Sequence, residues 1–133
     1  MDGLRLTPSC AKRVDRIGEE FLASIYSAET RRRPDNVAAL AELGHVYTRL
    51  GRYRDGLEVD VKLVAFAPDD PTVRYNLACS QALVGDVEDA LTSLETAVEL
   101  GYDDGSFMGE DNDLAPLREH PRFTALLERL ATL

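Results

Sequence analysis

Two imidazoles, two thiols and one acidic run are the side chains through which this chain of 133 residues could do chemistry. A zinc site needs several Cys, His or carboxylate ligands at short, regular spacing. His45 and His120 have no companion at the spacing of a metal pair, and Cys10 and Cys79 are far apart without Cys-x-x-Cys spacing. The thiols therefore read as two free cysteines in a reducing compartment rather than a disulfide or a metal site. A calcium loop needs oxygen ligands at alternating positions around a glycine, with a closing Glu. Asp103, Asp104, Gly105, Glu110 and Asp111 do not keep that order, so the stretch Tyr102–Asn112 reads as a solvated acidic loop. The glycines are scattered rather than gathered into a phosphate-cradling loop, and no serine stands in a nucleophile elbow. The sequence predicts no catalytic residue, no metal and no cofactor, and so no enzyme.

Charge narrows the partners. Residues 1–66 carry 11 Lys and Arg against 10 Asp and Glu, whereas residues 67–133 carry 4 against 14. The net charge of −9 therefore sits almost wholly in the second half. Phosphate attraction needs a basic surface, so nucleic acid is disfavoured. No apolar run reaches the roughly 18 residues of a membrane span. The segment Met1 to Pro8 is short and mixed, without the apolar run of a signal peptide. The expected location is cytoplasmic.

The elements that carry these side chains repeat. A shift of 34 places Pro68 on Pro34, Asp69 on Asp35, Leu77 on Leu43 and Gly85 on Gly51. It also places Asp89 on Asp55, Leu91 on Leu57 and Val98 on Val64, with small residues paired at Gly44/Ala78 and Gly56/Ala90. A fixed period of this length marks an array of supersecondary units. Each unit reads as two antiparallel helices. Pro34-Asp35-Asn36 offers a capping side chain to a first helix bearing Leu40, Leu43, Val46, Tyr47 and Leu50 at helical spacing. Gly51 ends it in a left-handed turn. A second helix follows, with Leu57, Val61, Val64 and Ala65 expected inward. The second unit repeats the scheme with Val73, Leu77 and Leu83, then Ala90, Leu91, Leu94, Ala97 and Val98, and Gly101 closes it.

The segment Leu40–Pro68 resembles a tetratricopeptide repeat (TPR). Leu43-Gly44 matches the Leu-Gly pair of that family, Tyr47 its aromatic position and Pro68 its closing proline. Gly56, Asp60 and Leu63 depart from it, standing where the family has Ala, an aromatic and Ala. In the second unit Leu77, Ala78, Gly85, Ala90 and Ala97 match, while Arg74, Gln81 and Tyr102 do not. The resemblance implies an all-α solenoid of antiparallel helix pairs in one domain. Residues 8–33 form an N-terminal capping helix with Val14, Ile17, Phe21, Ile25 and Ala28 on one stripe. Repeats follow over 34–67 and 68–101, then an acidic linker and degenerate C-terminal unit over 102–133. In that last unit Leu114, Leu117, Phe123, Leu126, Leu127 and Leu130 form the apolar set, and Pro121 opens a helix. The string from Asp113 through Pro116-Leu117-Arg118 to Phe123 resembles the closing segment of many bacterial TPR proteins, which points to a bacterial source.

What the resemblance implies for function is a scaffold that binds a peptide or protein in a concave groove. First helices of successive units line that groove. Ala38, Ala41, His45, Thr48 and Arg49 would come from one unit, and Thr72, Tyr75, Asn76 and Cys79 from the next. Tyr75 and Arg49 stand out, because aromatics and Arg contribute disproportionately to interfaces. One TPR subfamily clamps acidic chaperone tails with Lys and Asn. Only Asn76 matches it here, since Ala41, His45, Gly105 and Glu110 occupy the other clamp positions, so that ligand is rejected. The alternative to a heterologous partner is a homo-oligomer, built on the end caps and the uneven charge.

Overall fold

The computed structural model describes residues 7–133, so most of the Met1–Pro8 segment lies outside the described residues. Among the described residues seven α-helices and one 3-10 turn follow one another: α1 Pro8–Arg32, α2 Val37–Arg49, α3 Tyr53–Phe66, α4 Pro71–Leu83, α5 Val87–Glu99, α6 Gly105–Glu110, the turn Asn112–Leu117, and α7 Pro121–Ala131. No helix among the described residues is long and apolar enough to cross a membrane.

Local chemistry accounts for where these helices start and stop. Thr7 Oγ1 accepts the Cys10 amide at 3.1 Å ahead of Pro8, and Asn36 Oδ1 accepts the Ala39 amide at 3.1 Å. Asp70 Oδ1 takes the Thr72 amide at 2.9 Å and the Val73 amide at 3.3 Å, with Pro71 at the first helical position. Each satisfies an amide that the first turn leaves without a helical partner. At the other end, Gly51, Gly85 and Gly101 take φ of +76°, +89° and +116°, the left-handed region that glycine enters cheaply.

Packing divides into two apolar clusters. Ala23 of α1, Leu40, Leu43, Val46 and Tyr47 of α2, and Val59 and Leu63 of α3 form the first. The second joins α4 and α5 to the C-terminal segment, through Ala78, Leu91, Leu94, Met108, Leu114, Leu117, Phe123 and others. Helix α3 packs against α4 across the seam between the clusters. There the buried Asp60 accepts the Ser80 hydroxyl at 2.5 Å.

Three expectations are corrected. The α1 stripe faces outward: Val14, Ile17, Phe21 and Ile25 are 53%, 66%, 64% and 46% exposed. Ala23, with Leu22 and Tyr26, turns toward the first cluster instead. In α3 the inward face is Gly56, Val59, Asp60 and Leu63, while Val61 is exposed. Gly56 has Tyr47 Cβ and Gly44 O beside it, an approach the larger Leu57 face would hold apart. The acidic linker is not a loop. Asp104 Oδ1 caps α6 through the Phe107 amide at 3.0 Å, and Met108 of that helix is fully buried.

Candidate functional site

Helices α2 and α4 are the first helices of successive units, and the turn that follows α6 comes back against α4. Between them lies a cavity of about 300 Å³. From α2 it takes Gly44, His45, Thr48 and Arg49; from α4 Tyr75, Asn76, Cys79 and Ser80; and from elsewhere Asp60, Phe107, Asp111 and Asp113.

Its floor is Asp60. The residue is 7% exposed, and Ser80 is its one hydrogen-bond donor among the described residues, through Oδ2. The other oxygen, Oδ1, lies 3.3 Å from where a Cβ on Gly44 would stand, so a glycine there leaves room for the carboxylate. Burial disfavours the charged form and raises the Asp60 pKa from 3.8 to about 6, against the opposing pull of the Ser80 hydroxyl and the His45 charge. The position 34 residues on is Leu94, which is fully buried in the second cluster. A carboxylate thus occupies in one unit the place of a core leucine in the other.

One wall is aromatic and acidic together. Tyr75 stacks on Tyr102 with ring centroids 4.3 Å apart and planes 6° from parallel, and Phe107 is tilted against it at 6.1 Å. The Tyr75 hydroxyl donates to Asp111 Oδ2 at 2.7 Å, and the Asp113 amide to Asp111 Oδ1 at 3.0 Å. Burial, then the neighbouring Asp111, raises the Asp113 pKa. The Cys79 thiol, buried beside Asp111, is pushed well above its ordinary range and stays protonated. Cys79, Asp111 and Asp113 bring one ligand atom each to within 4.8 Å of one another, a cluster the sequence reading did not foresee. No nucleophile, base and orienting group come together here as a catalytic set.

Of the groove residues read from the sequence, His45, Thr48, Arg49, Tyr75, Asn76 and Cys79 line this cavity; Ala41 and Thr72 do not. Ala41 packs partly against the first cluster, and Thr72 lies exposed in the capping turn of α4. Tyr75 is only 4% exposed, held by its stack and its hydroxyl bond, so it forms wall rather than a free contact. Arg49 reaches back to Glu19 of α1 at 2.9 Å. The sequence reading missed Asp60, Ser80, Phe107, Asp111 and Asp113. For Asp60 a signal existed: a charged residue where the repeat shift gives Leu94. Ser80 lies on α4 and carried the same signal, a polar residue where the repeat shift gives Val46, whereas Phe107, Asp111 and Asp113 depend on chain return and had none.

No family model matches the chain. It is 29% identical over 89 residues to a chloroplastic protein of Arabidopsis thaliana, covering 65% of this chain and 27% of that protein. The chain thus spans about a quarter of the length of that curated relative. Among solved structures it superposes on the crystal structure of MamA with a TM-score of 0.73 at 18% identity, over 97% of this chain and 75% of that one. The structure of MamA from residue 41 to its end, from Desulfovibrio magneticus RS-1, gives 0.70 at 17% identity, over 90% and 66%. MamA is a TPR-like helical-repeat protein, and this chain has that fold.

Proposed function

We propose that the chain is a non-enzymatic scaffold that binds a peptide or protein segment in the groove lined by α2 and α4. The observation that supports this is the cavity itself. Eight residues from the first helices of two successive units line it, and among the described residues the side chains of two of them, His45 and Asn76, make no hydrogen bond within the chain. A mostly preformed concavity with a few oriented polar groups is the usual form of a recognition site. Random peptides displayed on phage and selected against the protein test the reading. Selected peptides should protect His45 and Asn76 from hydrogen exchange or shift their resonances, and should bind His45→Glu at least about tenfold more weakly. Peptides that map instead to the opposite face of the solenoid would remove the groove from consideration.

A second reading has its own observation, the outward stripe of α1. We propose that a second copy of the chain covers it. The stripe is self-complementary about Phe21. In an antiparallel pair centred there, Ile17 faces Ile25, Val14 faces Ala28, and Arg13 faces Glu29. Gly18, with no atom within 4 Å of an added Cβ, leaves a hole for a partner's side chain. An exposed apolar patch of a few hundred Å² marks an interaction surface, and one of this size supports a weak dimer rather than an obligate one. Sedimentation across concentration should show a dimer that Phe21→Glu abolishes. A monomer at every concentration would end this reading and leave the groove untouched.

A further inference from the structure

The groove reading leaves open what kind of segment binds, and the charges of the cavity bear on that. Three carboxylates, Asp60, Asp111 and Asp113, line one space of about 300 Å³. None of them forms an ion pair with any Lys, Arg or His among the described residues, although eight other ion pairs are present. The cations nearby are otherwise engaged. Arg49 pairs with Glu19 at 2.9 Å, and the Arg118 guanidinium donates to the backbone carbonyl of Asp111 at 3.1 Å rather than to its carboxylate. His45 stands at the rim, exposed.

Resting on the reading of the groove as the binding site, we infer that the cavity takes the side chain of a Lys or Arg from the bound segment, its charged head at Asp60 and Asp111 and its aliphatic stem along Phe107. Buried charges are held by partners in nearly all proteins, and among the described residues the buried Asp60 has only the neutral Ser80 hydroxyl. Asp60 is the independent pointer. It is more than nine-tenths buried, lines the cavity, and has one carboxylate oxygen without a donor among the described residues. A charge-assisted hydrogen bond to that oxygen would be stronger than a neutral one. Phe107, 55% exposed at the mouth, offers an apolar and cation-attracting surface to the stem. An anionic or apolar side chain would leave the carboxylates facing either a like charge or no partner at all. The volume suits one long side chain and lies at the small end of the roughly 300–1,000 Å³ of small-molecule sites.

Four pools of short labelled peptides, randomised except for a central Lys, Arg, norleucine or Glu, test this by fluorescence polarisation at near-physiological salt. The Lys and Arg pools should bind about tenfold or more tightly than the norleucine pool, and the Glu pool weakest. In Asp60→Asn, and in Asp60→Asn with Asp111→Asn, the ratio of Lys or Arg binding to norleucine binding should fall toward one, with helicity intact by circular dichroism. Equal binding of all four pools would overturn the inference and leave the groove reading standing. Binding by none would remove both. A preference that survives both variants would place the cation elsewhere and overturn it too. Spermidine that displaces the Lys pool at the peptide's own concentration would assign the cavity to a free polyamine and overturn the assignment to a peptide side chain.

Discussion

The two repeats share a backbone plan and place their polarity differently. In the first unit the two helices meet through Tyr47 and Val59, both in the apolar cluster, and the polar residue Asp60 looks outward to the next unit. In the second unit the equivalent positions are Gln81 and Ser93, which bond to each other at 2.6 Å inside the unit, while Leu94 replaces Asp60. The partner of Asp60, Ser80, stands where the first unit has the fully buried Val46. A repeat can therefore bury polar groups at either level, within a unit or between units, wherever a partner is supplied. Only the placement between units leaves an oxygen over, and a cavity opens beside it.

Exchanging the residues breaks this comparison most severely in one direction. Leu94→Asp puts a carboxylate at a fully buried site with no serine opposite, since the position 34 residues after Ser80 is the fully buried Leu114 of the same apolar cluster. Loss of the leucine costs about 2–5 kcal/mol, and an unpaired buried charge adds to it, so the expected loss exceeds about 4 kcal/mol. Urea denaturation read by circular dichroism checks this. The reverse exchange, Asp60→Leu with Ser80→Val, should be neutral or stabilising at pH 7, because apolar residues of similar volume replace a costly buried charge. A loss above about 2 kcal/mol would mean that the bond at the seam holds the units together.

The same contrast appears as a dependence on pH. The Asp60 pKa is raised from 3.8 to about 6 by burial, so between those values the folded protein holds a proton that the unfolded chain has released. Stability from this group therefore falls as pH rises through about 6, and is greater below 3.8 than at pH 7 by up to about 3 kcal/mol. Asp113, also raised, adds in the same direction, while Cys79 and Tyr75 stay neutral over this range. His45 and Arg49 face the site from α2, and the His45 charge opposes part of the rise at Asp60. The difference between wild type and Asp60→Asn isolates the contribution of this one carboxylate. The variant should be the more stable of the two at pH 7.5, and its advantage should shrink toward zero by pH 4.5. A difference independent of pH would show that Asp60 is charged throughout.

Much of this was legible before any coordinates. Period, caps and glycine stops are local chemistry, so Asn36, Gly51 and Gly85 declare their roles in sequence. The groove row His45, Thr48, Arg49 and Tyr75, Asn76, Cys79 was what the resemblance to the TPR family implied. What stayed hidden depended on which face another element chose to cover. Periodicity reveals that α1 has an apolar stripe, but Ala23 and not Phe21 is what α2 packs on. Acidic composition masked α6, although Asp104 ahead of Phe107-Met108 is a capping signal followed by an apolar pair. Asp111 enters the site only because Tyr75, 36 residues earlier, donates to it.

Where the two units are alike, they should respond alike, and the smallest effect tests that. Gly51 and Gly85 end α2 and α4 at φ of +76° and +89°, and an added Cβ would meet nothing within 4 Å at either. The closures match as well: the Arg52 amide donates to the Tyr47 carbonyl at 2.8 Å, and the Asp86 amide to the Gln81 carbonyl at 2.9 Å. With no steric clash, only the left-handed backbone penalty of a side chain remains, about 1–2 kcal/mol. Gly51→Ala and Gly85→Ala should therefore each destabilise by about that much and agree within about 0.5 kcal/mol, with Asn at either site costing less. A clearly smaller loss at Gly85 would mean that the turn in the second unit shifts to relieve the strain. The polar bond of Gln81 to Ser93, one turn away, would then be holding that unit less rigidly than Tyr47 and Val59 hold the first.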